Sequence, residues 1–426
     1  MMFWKRSPNA VLAGLMVIHL LAHIDRNMLL AFSPQIIADI GLNNAQYGFL
    51  AGAVWVLSFG GMAVFMGSLA DRFSRTRVIA AGVLIWSLCT WASGHAESFE
   101  QLVVARFFVA SGEAALVPAA VALLAELFSQ ERRSMAMGVF FMGIPLGVGC
   151  SFLLAGTFGA SIGWRDTFYV LGAVGVAIAV LLAFLKEDRS QSLAHERGAP
   201  FLKQMTKVLG IMRENSTMRN IIVGFVLVHM VFAALSFTQL WLVKERGMDA
   251  ATVATRIGLL QLAFGTLGSI AGGVLGDRVA RRMSGAHASL MVLLVVLCGP
   301  AMIAARFASP DSLVLYVGLC AGFFLPLALY ASVNAATMSM VPENTRATVT
   351  GFTMLCINVF AIAIGNLGSG WAVDVLGARG VSAPLTKVLL ATDILAISSV
   401  LFFACAARAA SKATIAGATV QPTTQS

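Results

Sequence analysis

The sequence predicts an all-α membrane protein with twelve transmembrane helices, arranged as two pseudo-symmetric bundles of six. Three observations support this prediction. The chain of 426 residues is 58% hydrophobic and only 12% charged. Twelve long apolar runs follow one another along it. One charged sequence pattern occurs twice, about half a chain apart.

The apolar runs determine the type of element. A soluble protein carries roughly a quarter charged residues, so a chain with so few is solvated mainly by lipid. Runs of about 18 residues or more can cross a bilayer as helix, whereas isolated strands would leave backbone groups unpaired there. The predicted spans are 10–32, 47–70, 78–95, 100–124, 134–158 and 166–186, then 220–243, 256–276, 287–305, 312–339, 346–371 and 386–407.

The positive charge of the chain, formally +9, is distributed unevenly. If the N-terminus is cytoplasmic, the cytoplasmic segments hold 20 of the 29 Lys and Arg residues, and the opposite face holds seven, Arg306 among them. This asymmetry follows the positive-inside rule and predicts a multi-pass protein of the cytoplasmic (inner) membrane with both termini in the cytoplasm. The charge therefore indicates topology, and no nucleic-acid partner is expected.

The repeated pattern indicates an internal duplication. It occurs at Gly67–Arg77 and again at Gly273–Arg282, so that Asp71 and Asp277 lie 206 residues apart, as do Arg75 and Arg281. A weaker repeat relates Arg133–Gly138 to Arg346–Gly351. Duplicated membrane units are typical of secondary transporters.

These spans and repeats predict four segments. Residues 1–186 form an N-terminal six-helix bundle, 187–219 a cytoplasmic linker, 220–410 a C-terminal six-helix bundle and 411–426 a disordered cytoplasmic tail. Within the linker, Phe201 to Met212 is predicted to form an amphipathic interfacial helix. No soluble segment is large enough for an enzyme active site. The six cysteines show no paired spacing, so no disulfide, metal or cofactor is expected.

The repeated pattern Gly-x-Leu-x-Asp-Arg-x-x-Arg resembles the signature loop of the major facilitator superfamily. The resemblance implies a major facilitator fold that works by alternating access. It also implies a cytoplasmic gating network that includes Glu126 at the end of span four as a candidate partner of Asp71 and Arg75. The predicted gating residues are Gly67, Asp71, Arg72, Arg75, Glu126, Asp277 and Arg281. The alternative is that these charges only anchor loops at the membrane surface.

A more specific resemblance lies in the first half. The sequence His23-Ile-Asp25-Arg26-Asn27 lies in span one, and Gly112-Glu113-Ala114 lies in span four. With Pro118-Ala-Ala, Gly143-Ile-Pro145 and Gly163-Trp-Arg165, in this order, they are similar to the spinster branch of the superfamily. In that family the residues matching Glu113 and Asp25 are implicated in proton coupling. The related organic-anion and hexuronate symporter branch shares the Asp-Arg pair of span one.

The charged residues inside the spans carry the predicted chemistry. Asp25, Arg26, Arg106 and Glu113 would be costly in lipid, so they should face the protein interior. Arg106 and Glu113 lie two helical turns apart on one face. One economical arrangement pairs Asp25 with Arg106 and leaves Glu113 facing the cavity.

Glu113 is the leading candidate for the proton site, with Asp25 the second. A carboxyl in a water-poor cavity has its pKa raised, and so exchanges protons near neutral pH. The alternative is a hydrogen-bonded structural carboxyl. Arg26 either binds an anionic headgroup or neutralises Asp25 or Glu113. For His23 and its neighbour His19, a proton relay and plain packing are both open.

Two further polar residues are predicted to face the bundle. Asn27 follows Arg26 in span one and belongs to the same charge network as His23 and Arg106. Asp393, in span twelve, is expected to pair with a polar neighbour.

The function predicted is proton-coupled transport of an amphipathic or organic-anion solute by a monomer in a lipid bilayer. The polar residues expected to face inwards are few, namely Asn27, Ser58, Ser111, Gln239, Gln261, Asn334 and Asn358. In contrast, Phe numbers 28 and Met 20. Both residue types adapt to apolar ligands. An uptake symporter for a small carboxylate or sugar acid is the first alternative, and a receptor that does not transport is the second.

Overall fold

The computed structural model describes residues 7–184, 201–280 and 286–418, and no strand occurs among them. The predicted all-α fold is therefore confirmed. In the first half the helices are α1 (Pro8–Ala31), α2 (Ser33–Ile40), α3 (Asn44–Gly48), α4 (Val54–Arg72), α5 (Arg75–Gly94), α6 (Phe99–Glu113), α7 (Leu116–Leu127), α8 (Gln130–Phe141), α9 (Gly143–Gly156) and α10 (Phe158–Ala183).

The second half continues the same architecture. Its helices are α11 (Phe201–Glu214), α12 (Ser216–Val228), α13 (Val231–Lys244), α14 (Ala250–Leu260), α15 (Thr266–Ala280), α16 (Ala286–Phe307), α17 (Leu313–Ser339), α18 (Glu343–Cys356), α19 (Gly365–Ala378), α20 (Pro384–Ile397) and α21 (Ser399–Ala418). Three π-helical stretches, Phe49–Ala53, Gln261–Gly265 and Ile357–Ile364, join consecutive helices without a break.

Eleven helical stretches of the described chain are long and apolar enough to cross a membrane, and each corresponds to a predicted span. The remaining predicted span, 47–70, is helical through α3, the π-helical stretch after it and α4. Several spans consist of two helices. Span four breaks after Glu113, and span seven breaks between α12 and α13.

The chain packs as two compact units. The first takes its residues from Met1–Glu196, Ser236–Leu262 and Asn366–Leu385, and the second from Arg197–Leu235, Ala263–Gly365 and Thr386–Ser426. The first unit therefore combines the first six spans with short segments from the second half of the chain. The boundaries predicted for the bundles and the linker stay predictions. Helix α21 continues to Ala418, within the segment predicted as a tail.

Each unit has its own apolar core. In the first, α1, α5, α6 and α7 bury residues such as Leu15, Val83, Trp86 and Leu124. In the second, α12, α16 and α17 bury Phe225, Met291 and Leu329 among others. Burial of this apolar surface holds the helices of each unit together.

The linker helix α11 belongs to the second unit. Its Val208 is completely buried in a small cluster with Ile222 of α12 and Val349 of α18. Lys207 Nζ donates to Thr345 Oγ1 over 3.0 Å. The amphipathic helix predicted here is therefore present, and its apolar face packs on protein.

Candidate functional site

The four charged residues predicted inside the spans lie in the first unit, on two helices. Asp25 and Arg26 are on α1, and Arg106 and Glu113 are on α6. Asp25, Arg106 and Glu113 are all buried, and at most 7% of the surface of each is exposed. A buried charge must be satisfied by protein groups or give up its charge.

Asp25 and Arg106 form a closed ion pair. Arg106 Nη1 donates to Asp25 Oδ1 over 3.2 Å, and the Thr90 hydroxyl of α5 donates to Asp25 Oδ2. Arg106 Nη2 also donates to the main-chain carbonyls of Asp25 and Arg26, at 3.3 and 3.2 Å. Both carboxylate oxygens of Asp25 are thus bonded, and the predicted pairing is confirmed.

Glu113 is the last residue of α6, at the break in span four. Helix α7 restarts at Leu116 with Pro118 in its first turn. Proline has no N–H, so it fits the first turn of a new helix but cannot continue the preceding one. The break leaves Glu113 at a helix end within a membrane span, which the sequence analysis did not predict although it noted Pro118.

Gly112 explains how α6 approaches α5 beside Glu113. A Cβ at Gly112 would lie 2.6 Å from the carbonyl oxygen of Gly82 and 2.8 Å from the main-chain nitrogen of Trp86. Both are backbone atoms, which cannot move aside as a flexible side chain can. Glycine is therefore required at this contact, and it fixes Glu113 relative to α5.

Trp55 of α4 binds Glu113 and was missed by the sequence analysis. Its indole N–H donates to Glu113 Oε2 over 2.9 Å. Glu113 Oε1 has no hydrogen-bond partner, and it is the only buried carboxylate oxygen of the described chain in that condition. A signal existed, because an indole N–H within an apolar span needs an acceptor.

Arg26 lies on the same tryptophan. Its guanidinium carbon is 3.5 Å from the centroid of the Trp55 ring, a cation–π contact. With respect to the described residues, the Arg26 side chain makes no hydrogen bond and no ion pair within 4.0 Å. Arg26 therefore does not neutralise Asp25 or Glu113 by direct contact.

Two predicted polar residues beneath this group satisfy each other. The hydroxyls of Ser58 on α4 and Ser111 on α6 are 2.8 Å apart, and Ser58 also donates to the carbonyl of Phe107. Both serines are buried in this helix contact. They join α4 to α6 and so hold Trp55 beside Glu113.

The two histidines of α1, His19 and His23, lie one turn apart and precede Asp25 in the same helix. His19 Nδ1 is 3.0 Å from the carbonyl of Phe140, and its ring stacks on the Phe140 ring. The rings of His19 and His23 are 4.9 Å apart, and Asn27 Nδ2 donates to the His23 carbonyl over 2.8 Å. Among the described residues, no group of three His, Cys, Asp or Glu side chains could hold a metal ion.

The predicted gating network is described in part. Arg75 Nη1 pairs with Glu126 Oε2 over 2.5 Å, so the predicted partner of Arg75 is confirmed. Arg75 also donates to the carbonyl of Ala122 on α7. Arg281 lies outside the described residues, and for Gly67, Asp71, Arg72 and Asp277 the structure describes only the helical backbone.

The opposite end of span two carries a second polar contact within the first unit. Asp374 of α19 accepts hydrogen bonds from the main-chain N–H groups of Asn44 and Ala45, at 3.1 and 2.8 Å, and from Asn44 Nδ2 at 2.7 Å. A Cβ at Gly370 would lie 2.0 Å from the carbonyl oxygen of Asn44. Glycine and aspartate one turn apart thus attach α19 to the start of α3.

The second unit also contains a buried ion pair, between Arg306 and Asp393. Arg306 Nε donates to Asp393 Oδ2 over 2.7 Å, and Arg306 Nη2 to Asp393 Oδ1 over 3.4 Å. The pair lines a small cavity with Val231, Leu235 and Leu319. The polar partner predicted for Asp393 is confirmed. Arg306, which was counted outside the predicted span 287–305, lies within α16 and is only 6% exposed.

Comparison with known proteins agrees with this architecture. The sequence model of the Major Facilitator Superfamily matches residues 15–366. An MFS-type efflux pump of Mycolicibacterium smegmatis is 27% identical over 410 residues, 95% of this chain and 94% of that protein. Protein spinster of Drosophila melanogaster is 27% identical over 386 residues, which cover 87% of this chain and 62% of that protein.

One solved structure shows the same fold. It is the crystal structure of a bacterial homolog of the human lysosomal transporter spinster, in an inward-facing and unoccupied conformation. The match has a TM-score of 0.83 at 23% sequence identity and covers 97% of this chain and 99% of that one. The chain therefore belongs to the major facilitator superfamily, near its spinster branch, and is a transporter rather than an enzyme.

Proposed function

We propose that the protein is a proton-coupled secondary active transporter, which moves an amphipathic or organic-anion solute across the cytoplasmic membrane by alternating access. Glu113 is the proton site. Asp25 and Arg106 hold α1 and α6 together beside it, and Arg26 attracts the anionic part of the solute.

The observation that supports this proposal most directly is the unbonded oxygen of Glu113. Oε2 is held by Trp55, while Oε1 is buried and has no partner among the described residues. An ionised carboxylate with an unbonded oxygen is unfavourable away from water, whereas a protonated carboxyl loses that penalty. Glu113 is thus suited to take up a proton when its surroundings are dry and to release it when water enters.

Asp25 has a different role in this proposal. Its carboxylate is fully bonded by Arg106 and Thr90. A carboxylate with such partners is stabilised in its charged form. Asp25 therefore couples indirectly, because a change in the position of α1 or α6 would alter its pairing with Arg106.

The first unit has a polar contact near each end of span two, and in the proposed cycle these contacts are the candidates for gating. The Arg75–Glu126 pair lies at the end of span two that the charge distribution predicts to be cytoplasmic. The contact of Asp374 with Asn44 and Ala45 lies at the other end. A transporter needs contacts at both ends that form and break in turn.

The solute class follows from Arg26 and from the apolar character of the chain. Arg26 keeps the N–H groups of its guanidinium unbonded with respect to the described residues, and guanidinium binds carboxylate and phosphate groups well. The surrounding helices are rich in apolar side chains. An anion with an apolar body suits this combination.

The test is transport by the purified full chain in proteoliposomes, with an imposed pH gradient. We expect the gradient to drive accumulation of a lysolipid or an organic acid, and Glu113→Gln to reduce it to the level of protein-free vesicles. Solute exchange without a gradient should persist in Glu113→Gln, because exchange needs no net proton movement. Full gradient-driven transport by Glu113→Gln would contradict the proposed proton site.

The first alternative, an uptake symporter for a small carboxylate or sugar acid, is also favoured by the unbonded Arg26. Competition by small carboxylates with lysolipids inert would support it. A receptor would bind solute but show no exchange in vesicles, with or without a gradient.

A further inference from the structure

Trp55 contacts both chemically distinctive groups of the site. One face of its ring carries the Arg26 guanidinium at 3.5 Å, and its N–H donates to Glu113 Oε2 at 2.9 Å. Arg26 and Glu113 themselves form no ion pair within 4.0 Å. The indole therefore lies between a cation and a carboxyl that would otherwise attract each other.

We propose that Trp55 is a spacer that keeps Arg26 and Glu113 as two separate binding groups, one for the anionic head of the solute and one for the proton. This inference rests on the proposed function and assigns a positioning residue to it. The ring stabilises the Arg26 cation without neutralising it, since a cation–π contact leaves the N–H edge of the guanidinium available. The N–H group orients the Glu113 carboxyl without giving it a counter-charge.

A second tryptophan of the first unit, Trp164, also contacts an arginine and a carboxylate, but there the two charged groups pair directly with each other. Trp164 donates its indole N–H to Asp39 Oδ2 over 3.0 Å, and Arg165 lies 4.2 Å from the centroid of the Trp164 ring. There, however, Arg165 Nη2 also pairs directly with Asp39 Oδ2 over 2.9 Å. The tryptophan and the arginine are neighbours on α10, so one carboxylate reaches both.

At Trp55 the two partners come from different helices. Arg26 is on α1, whose position is fixed by the Asp25–Arg106 pair, and Glu113 is at the end of α6. Trp55 stands on α4 and also stacks on Phe59, at 4.4 Å between ring centroids. Three anchored helices thus hold the ring in place between them.

Because Arg26 and Glu113 stay separate, the binding of an anion at Arg26 and of a proton at Glu113 can influence each other electrostatically. The charged groups that interact with Glu113 are Arg26 and Asp25 on α1 and Arg106 on α6 itself. Helix α4 contributes the uncharged Trp55, which donates to Glu113. Helix α5 contributes Thr90 and Cys89, which lie beside Asp25. An anion bound to Arg26 repels ionised Glu113, so anion and proton favour each other's binding. A direct Arg26–Glu113 pair would abolish both sites.

Anionic probes test this in the purified full chain in lipid nanodiscs, by thermal shift. The probes are octanoate and octyl phosphate, with octyl glucoside and octyltrimethylammonium as neutral and cationic controls of equal chain length. We expect the anionic probes to raise the melting temperature, and Trp55→Phe, which keeps an aromatic face, to retain this effect. Trp55→Leu should weaken the apparent affinity about tenfold, the value of one good cation–π contact plus competition from Glu113.

A double variant distinguishes the loss of the Trp55 spacer from a general disruption of the fold by Trp55→Leu. In Trp55→Leu with Glu113→Gln no carboxylate competes for Arg26, so the part of the affinity that was lost to competition should return, while the part supplied by the cation–π contact stays lost. Trp164→Phe is the matched control and should bind as the wild type does. Wild-type affinity in Trp55→Leu, or no recovery in the double variant, would overturn the spacer role. A stronger response to octanoate than to octyl phosphate would identify a carboxylate head, and the reverse a phosphate head.

The pH dependence provides a readout that a purely structural tryptophan would not move. From about pH 8 to about pH 6, where octanoate stays ionised, its affinity for the wild type should rise, and in Glu113→Gln it should be constant. In Trp55→Phe the midpoint should move to higher pH, because the donor that favours the ionised carboxylate is lost. An unmoved midpoint in Trp55→Phe would contradict the proposal, whether or not the protein transports protons.

Discussion

Among the residues that the structure describes, each unit buries an Asp–Arg pair, and the two pairs differ in what lies beside them. In the second unit, Arg306 and Asp393 bind each other through two hydrogen bonds beside a small cavity with apolar walls. In the first unit, the Asp25–Arg106 pair lies beside two further charged residues, Arg26 and Glu113. One of these stacks on Trp55 and the other accepts its N–H.

This difference distinguishes charges that only hold two helices together from charged groups that can still bind a proton or a solute. In a closed pair each charge has its counter-charge beside it, and the pair contributes a fixed contact between helices, as Asp393 and Arg306 do between α20 and α16. An unbonded carboxylate oxygen next to such a pair is where we propose that a proton is exchanged. On this view the first unit carries the coupling chemistry and the second unit carries a structural equivalent without it.

Breaking either closed pair is expected to produce the largest loss of stability. Asp393→Asn and Asp25→Asn each leave a buried arginine without its counter-charge. Removing one partner of a buried pair costs about 3 to 5 kcal/mol. Chemical or thermal unfolding in micelles measures this, with Asp166→Asn, at an exposed site, as the unaffected control. A loss below about 1 kcal/mol would show that the pair is solvated.

Replacing both partners by apolar residues sharpens the comparison. Asp393→Leu with Arg306→Met should recover stability to near the wild-type value, because a buried pair can be replaced by packed apolar groups at little cost. Proton-driven transport by this double variant should equal that of the wild type. Asp25→Leu with Arg106→Met should recover stability but lose coupling, since these residues lie beside Glu113. Equal transport by both double variants would remove the distinction between the units.

A smaller effect is expected at the Asp374 contact. Asp374→Ala removes three hydrogen bonds to the start of α3. Because Asp374 is only partly buried, a loss of about 1 kcal/mol follows, or roughly a fivefold increase in local opening. Hydrogen–deuterium exchange of the peptide containing Asn44 and Ala45 measures it. Asp311→Ala, at an exposed site, should leave that peptide unchanged.

The smallest loss of stability is expected for Arg75→Ala. The side chains of Arg75 and Glu126 are 19% and 35% exposed, so their attraction is screened by solvent. Such pairs contribute about 0.2 to 1 kcal/mol, and less at high salt. The melting temperature should change little, as for the control Arg77→Ala on the same turn, whereas the rate of transport should change only in Arg75→Ala. Equal transport rates in the two variants would reduce Arg75 to a surface anchor.

The fold was predictable because its signals are local. Apolar runs of bilayer length, such as 312–339, need only composition to be recognised, and α17 follows this one closely. The duplicated pattern and the charge asymmetry required no three-dimensional information. Where a span breaks was less accessible, because the ends of α6 and α12 depend on how neighbouring helices support the unpaired backbone groups.

The site was predictable in its charges but not in its contacts. Asp25 with Arg106, and Arg75 with Glu126, were predicted pairs that the structure contains. Trp55 was missed because an aromatic residue in an apolar span is ordinary until its neighbours are known. The burial of Arg306 was not predicted because it lies one residue before the end of α16, where a sequence cannot distinguish an exposed charge from a buried one.

The sequence by itself determined what this chain must be: a duplicated helical membrane protein whose few internal charges are confined to particular spans. Composition and periodicity are sufficient for that, because the bilayer penalises every unpaired charge and backbone group in the same way. Only the tertiary structure decided which charges form closed ion pairs and which remain able to bind a solute or a proton. That distinction depends on distances of about an ångström between helices far apart in the chain, such as the approach of α4 that brings Trp55 between Arg26 and Glu113.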